Sequence, residues 1–178
     1  FEATQSILEQ EIDGMQFGFL YNRKRKLFSI GLNAETMQLD KSYYDMLASE
    51  CRLSSYLAIA KGEVKTEHWF HLGRQSTEIN GRFGLLLWGG TMFEYLMPTL
   101  FQRAYPDSIL ERSCLIAIRR QIQYGLSKAG VWGVSESAYS ARANNADYLY
   151  KSFGVPGLGL KRGLAREYVV SPYSSVLA

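Results

Sequence analysis

Val131-Trp132-Gly133-Val134-Ser135-Glu136-Ser137-Ala138-Tyr139-Ser140-Ala141-Arg142 is the stretch on which the architecture turns. A tight Trp-Gly turn leads into a run containing alanines and a glutamate. That order predicts a helix beginning near Glu136, where unpaired backbone N–H groups and the helix dipole favour negative charge. Gly133, three positions earlier, offers no capping-box side chain. Glu136 is therefore the acid that helix structure explains least, and it is the first candidate for chemistry.

Two further acids are expected at helix starts. Ser42-x-x-Asp45 and Thr91-x-x-Glu94 both match the capping box, in which the carboxylate satisfies an N-terminal N–H. Asp45, Glu94 and Glu136 recur 49 and 42 residues apart, about one helix, a return helix and two connections. That spacing would let them face one pocket. Aromatic residues lie near each acid, among them Tyr44, Trp88, Trp132 and Tyr139, and Arg142 closes the opening stretch. Core packing explains Phe93 and Tyr95; the others, with the acids and the arginine, have the composition of a glycan cleft.

Outward from these sites the pattern is helical. Ser42 to Ala60 reads as a small-residue inner helix, Thr91 to Gln102 as a helix tightened by Pro98, and Ile109 to Leu126 as the longest, with Ile109, Leu110, Cys114, Leu115, Ile118 and Ile122 as its apolar face. Residues 1 to 13 read as an amphipathic helix closed by Gly14. Phe17 to Leu20 and Leu27 to Leu32 form a β-hairpin around Asn22 to Arg25. His68 and His71 have helical metal-ligand spacing but no further Cys or acidic ligand nearby, so packing or surface roles are expected and no metal.

Composition narrows the classes. The chain has 178 residues, 47% of them hydrophobic and 13% aromatic, which is enough for one sizeable core. Its net charge of +3 is spread out apart from the turn Arg23-Lys24-Arg25-Lys26, so no nucleic-acid partner is expected. Cys51 and Cys114 sit in apolar runs, as free thiols do. No stretch approaches the roughly 18 apolar residues of a membrane span, and a soluble segment is expected. Phe1 begins inside a helical pattern and Ser171-Pro172 opens another, so the chain reads as truncated at both ends.

Four ordered runs carry a family resemblance. They are Leu39-Asp40-Lys41-Ser42-Tyr43-Tyr44-Asp45-Met46-Leu47-Ala48-Ser49-Glu50, Trp88-Gly89-Gly90-Thr91-Met92-Phe93-Glu94-Tyr95-Leu96-Met97-Pro98, Trp132-Gly133-Val134-Ser135-Glu136-Ser137-Ala138-Tyr139 and Phe153-Gly154-Val155-Pro156-Gly157-Leu158-Gly159-Leu160-Lys161-Arg162-Gly163. Together they resemble the glycoamylase-like domain of cyclic β-1,2-glucan synthases over nearly the whole chain. The resemblance implies a mainly α fold, an (α/α) helical toroid of which residues 1–178 would be about half of a single domain, with small β-hairpin insertions. It implies a β-1,2-glucan ligand and cyclisation by transglycosylation, with hydrolysis or a non-catalytic glucan-binding scaffold as alternatives. No cofactor is implied. The partners are the remaining domains of a synthase at the cytoplasmic face of the bacterial inner membrane, and the piece itself is expected to self-associate. Cyclisation exchanges one β-1,2 bond for another, so the outcome is retention, which ordinarily needs a nucleophile about 5–5.5 Å from the acid/base. Glu136 is the expected acid/base and Glu94 the nucleophile, with Asp45 as substitute. Trp132, Tyr139, Arg142, Tyr44 and Trp88 are the expected substrate contacts.

Overall fold

The first helix, α1 (Glu2–Gly14), forms where the sequence predicts it, yet none of its residues is buried. Ile7 and Leu8 are 59% and 57% exposed. What fixes the helix is its C-terminal end: the Lys61 ammonium donates to the carbonyls of Ile12, Asp13 and Met15 at 2.6, 3.0 and 2.6 Å, where the dipole favours a cation. The computed structural model describes residues 2–143 and 146–178. It divides the chain into two compact units, residues 1–45 with 54–72 and residues 46–53 with 73–178.

In the first unit the expected hairpin is present with shorter strands, β1 (Tyr21–Asn22) and β2 (Leu27–Ser29), joined by the basic turn. The Asn22 carboxamide oxygen accepts the N–H groups of Lys24 and Arg25, which shapes that turn. A short pair, β3 (Leu32–Asn33) and β4 (Gln38–Leu39), follows, and β5 (Tyr43–Tyr44) adds a third strand beside β2. The helix α2 (Arg52–Ala60) starts in the second unit and continues into the first, and α3 (Glu67–His71) comes after it. Phe28, Ala58 and Val64 form the first unit's apolar core. His68 completes it: its ring lies edge-on to Phe28 and Tyr21. Nδ1 sits 2.7 Å from the Lys26 carbonyl and Nε2 2.8 Å from the Ser55 hydroxyl. A carbonyl only accepts, so Nδ1 carries the proton and Ser55 donates to Nε2. Of the packing or surface roles expected for the histidines, His68 has the packing one.

The second unit contains the hairpin β6 (Ser76–Ile79) and β7 (Arg82–Leu85), then α4 (Met92–Leu96), α5 (Ile109–Ala129), a second hairpin β8 (Ser137–Arg142) and β9 (Tyr148–Lys151), and α6 (Pro172–Val176). The long helix α5 is capped by the Ser108 hydroxyl and ends at Gly130 in the left-handed conformation. Its buried face differs from the predicted one: Ser113, Cys114, Ile116, Ala117, Gln121 and Gly125 turn inward, while Leu115 and Leu126 remain exposed. Small and amide residues let neighbouring backbone approach this helix. At Gly125 a β-carbon would lie 2.5 Å from the Val131 carbonyl oxygen. Among the described residues no helix is long and apolar enough to cross a membrane.

This is not the mainly α toroid expected from the resemblance. Helix accounts for 39% of the chain and strand for 21%, the strands forming several small sheets. Two segments account for much of the difference. Ser42 to Cys51 is strand and turn instead of helix, so the single long helix expected from Ser42 to Ala60 is confined to Arg52–Ala60. The segment from Ser137 onward pairs with Tyr148–Lys151 instead of coiling. In both, cross-strand pairing overrides local helix propensity, which is strong in Ala and weaker in Ser.

Candidate functional site

Three of the four motif runs converge on the start of α4, and the contact between two of them is backbone against backbone. The run Leu87–Thr91 lies along Val155–Lys161: Leu87 N–H donates to the Leu158 carbonyl at 3.1 Å, and Leu160 and Lys161 N–H groups donate back to the carbonyls of Leu87 and Trp88, each at 2.9 Å. Glycines make the approach possible. A β-carbon on Gly154 would sit 1.7 Å from the Gly89 carbonyl oxygen, and one on Gly159 would sit 2.6 Å from the same atom. Below this seam the buried Tyr95 hydroxyl donates toward the carbonyls of Leu85 and Leu158 at 2.7 and 3.1 Å.

The third run is held by an amide. Gln121 on α5 accepts the Val134 N–H at 2.8 Å and donates to the Val134 carbonyl at 2.7 Å, both ends buried. Ser135, also buried, accepts the Phe93 N–H at 3.0 Å, which ties the run to the first turn of α4. Its hydroxyl donates to the Tyr173 oxygen at 2.9 Å, and Tyr173 donates to the Glu136 carbonyl at 3.0 Å. The backbone of Glu136 is therefore pinned from two sides.

Glu136 does not begin a helix; it is the last residue before β8, half-buried, and its carboxylate accepts the Tyr150 hydroxyl at 2.5 Å. Burial, and then the bond to Glu136, push the Tyr150 pKa upward, so the phenol stays a donor. Glu94 closes a complete capping box with Thr91. Its two carboxylate oxygens accept the N–H groups of Gly89 at 3.0 Å and Thr91 at 2.7 Å. Burial pushes its pKa up, the backbone donors pull it down, and the nearby negative charge of Glu50 adds to the rise. Glu50 was missed in the sequence because it falls inside the helix expected from Ser42 to Ala60. It is half-buried and accepts the Ser49 hydroxyl at 2.7 Å. Its presence in a motif run beside a serine was the available signal.

The remaining expected residues are divided between the two units. Asp45 and Tyr44 belong to the first unit, where Tyr44 pairs with Phe28 across the sheet, and Asp45 follows a strand, so no helix start or capping box exists there. Trp88 is 56% exposed beside the glycine seam, and Trp132 is half-buried, with its carbonyl accepting the Ser175 hydroxyl at 3.0 Å. Tyr139 meets Phe153 edge-on at 5.3 Å between ring centres. Arg142 lies at the far end of β8, roughly 20 Å of extended chain from Glu136. It stacks over Tyr148 at 4.5 Å and donates to that hydroxyl. It serves the hairpin tip.

Comparison with known proteins bears on this arrangement. Residues 42–178 match the Glycoamylase family model, described as "Putative glucoamylase". Over 164 residues the chain is 46% identical to the cyclic beta-(1,2)-glucan synthase NdvB of Rhizobium meliloti (strain 1021), an alignment taking in 92% of this chain. The chain spans only 6% of that relative's length.

Proposed function

The chain belongs to the glycoamylase family, and on that premise we propose that it forms part of a carbohydrate-active domain that cyclises β-1,2-glucan by transglycosylation with retention. The observation that supports this most directly is Glu136: a half-buried carboxylate held by a phenol, next to Ser135, which is bonded to the first turn of α4. Glu136 acts as the acid/base in this reading. Glu94, with both oxygens engaged by backbone N–H groups, is better suited to shaping the Gly89–Thr91 loop than to attacking a sugar. Glu50 in the same unit then takes the second carboxylate role in preference to Glu94 or Asp45, which are the candidates it replaces. Trp88, Trp132 and Tyr139 provide faces on which sugar rings stack.

Within a larger synthase the domain would work beside other domains at the cytoplasmic face of the bacterial inner membrane. Self-association of the isolated piece belongs to the same proposal, with Ile7 and Leu8 exposed side by side on α1. The test uses the full-length synthase with linear β-1,2-glucan and mass analysis of products. Cyclic or redistributed glucans are expected, with Glu136→Gln and Glu50→Gln each lowering turnover by about 100-fold or more. Unchanged glucan from the unmodified protein would refute the assignment. Release of shorter linear chains with water incorporated would assign hydrolysis instead.

A further inference from the structure

A cleft of about 420 Å³ opens in the second unit, with Lys151, Ser152, Lys161, Arg162, Arg166 and Glu167 in its lining. Four cationic residues face one carboxylate there, an excess of three. That equals the formal net charge of the whole chain, +3, so the rest of the protein is charge-balanced. Glu167 is engaged by Lys151. Lys161 is oriented by the Ser152 carbonyl, to which its ammonium donates at 2.9 Å, a contact that leaves its charge uncompensated. Arg162 and Arg166 lie on either side of Gly163, whose positive φ of 80° turns the chain into the short 3-10 turn Leu164–Arg166.

We propose that this cleft binds a phosphate group, free or carried as an ester. A neutral glucan offers hydroxyls and no charge, so it does not call for such an excess. Two arginines and a lysine in a concave wall suit a tetrahedral oxyanion, because guanidinium forks bind phosphate oxygens in pairs and a cleft concentrates the field. The wall is also preorganised: Gly154, which lines the cleft, is seated on the Gly89 carbonyl at the glycine seam. The ordering cost of binding then falls on the exposed cationic side chains and not on the backbone that carries them.

The hairpin turn supplies the control. Arg23, Lys24, Arg25 and Lys26 bring as many cations to a turn as the cleft holds. The full chain is titrated calorimetrically with sodium phosphate against sodium chloride of matched ionic strength. Saturable phosphate binding is expected, weakened about tenfold or more in Arg162→Gln/Arg166→Gln and only about twofold or less in Arg23→Gln/Lys24→Gln, which removes the same charge. Arg162→Lys/Arg166→Lys, which keeps charge but not the fork, should fall between them. Phosphatidylglycerol vesicles identify the source: sedimentation that depends on Arg162 and Arg166 points to a lipid headgroup, and its absence alongside phosphate binding points to a soluble phosphate. Phosphate heats that match chloride, or equal weakening in both double variants, would overturn the site.

Discussion

The two units are built on opposite principles. The first is closed by side chains: Phe28, Ala58 and Val64 pack together, and His68 plugs them with a neutral imidazole bonded at both nitrogens. The second is closed around α4 by main chain, with glycines admitting one loop onto another and Gln121 grasping the peptide of Val134. Side-chain packing tolerates exchange of one apolar group for another of similar volume. Backbone contact has no such latitude, and it holds the segments that present Glu136, Trp88 and Trp132. The difference shows where this chain spends its precision.

Gly154→Ala tests the contrast most severely. Its β-carbon has no room beside the Gly89 carbonyl, so a loss of about 3 kcal/mol or more is expected, read by urea denaturation with the second unit's aromatic signal as probe. A loss well under 1 kcal/mol would mean that the seam yields. Next comes Gln121→Leu, close in volume but without the amide. It orphans the buried Val134 N–H and leaves the Val134 carbonyl with the Met92 N–H at 3.3 Å, and a net loss of about 1–3 kcal/mol is expected by the same measurement.

The smallest effect is the most discriminating, because pH acts on the two units with opposite sign. Burial holds the His68 pKa below its unfolded value of 6.5, so the unfolded state binds the proton more tightly. Its stability contribution is intact above about pH 6.5 and is lost as pH falls toward the folded value. The Glu94 pKa is instead raised above 4.5 by burial. Here the folded state binds the proton more tightly, so the contribution is full below that value and is lost as pH rises through the folded pKa. Acidification from pH 7 should weaken the first unit and favour the second. Amide exchange resolved by residue reads both slopes; parallel slopes would remove the electrostatic part of the contrast.

What the sequence made legible follows the same division. Local signals identified α1, the basic hairpin turn and α5, whose expected span Ile109 to Leu126 stops three residues short of its end at Ala129, because turns and helix periodicity act over a few residues. The family was legible from motif runs that contain α4, β5 and the start of β8 together with the loops beside them. Asp45 was misplaced because Ser42-x-x-Asp45 imitates a capping box in a segment that pairs with β2 instead. Glu136 was singled out as an acid at a helix start without a cap, whereas it precedes a strand, and its setting depends on Tyr150 and Tyr173, 14 and 37 positions away. The inward face of α5 was misjudged because Ser113, Gln121 and Gly125 are buried against backbone, a partner that hydrophobic periodicity does not register.

The glycine seam also sets an order of events in time. Gly89 and Gly154 stand 65 positions apart, so their contact waits on closure of a long loop that includes all of α5. A hairpin such as β8 with β9 closes in about 1–10 μs, whereas non-local pairings of this kind slow folding by orders of magnitude. The chain between Trp88 and Thr91 must therefore remain without its final partner until residues beyond Phe153 have arrived. On the ribosome, where about 5–20 residues are added each second, that interval lasts several seconds. Throughout it the apolar neighbours Leu87 and Met92 lack their later cover, and nascent-chain chaperones have their opportunity on this segment before α4 is sealed.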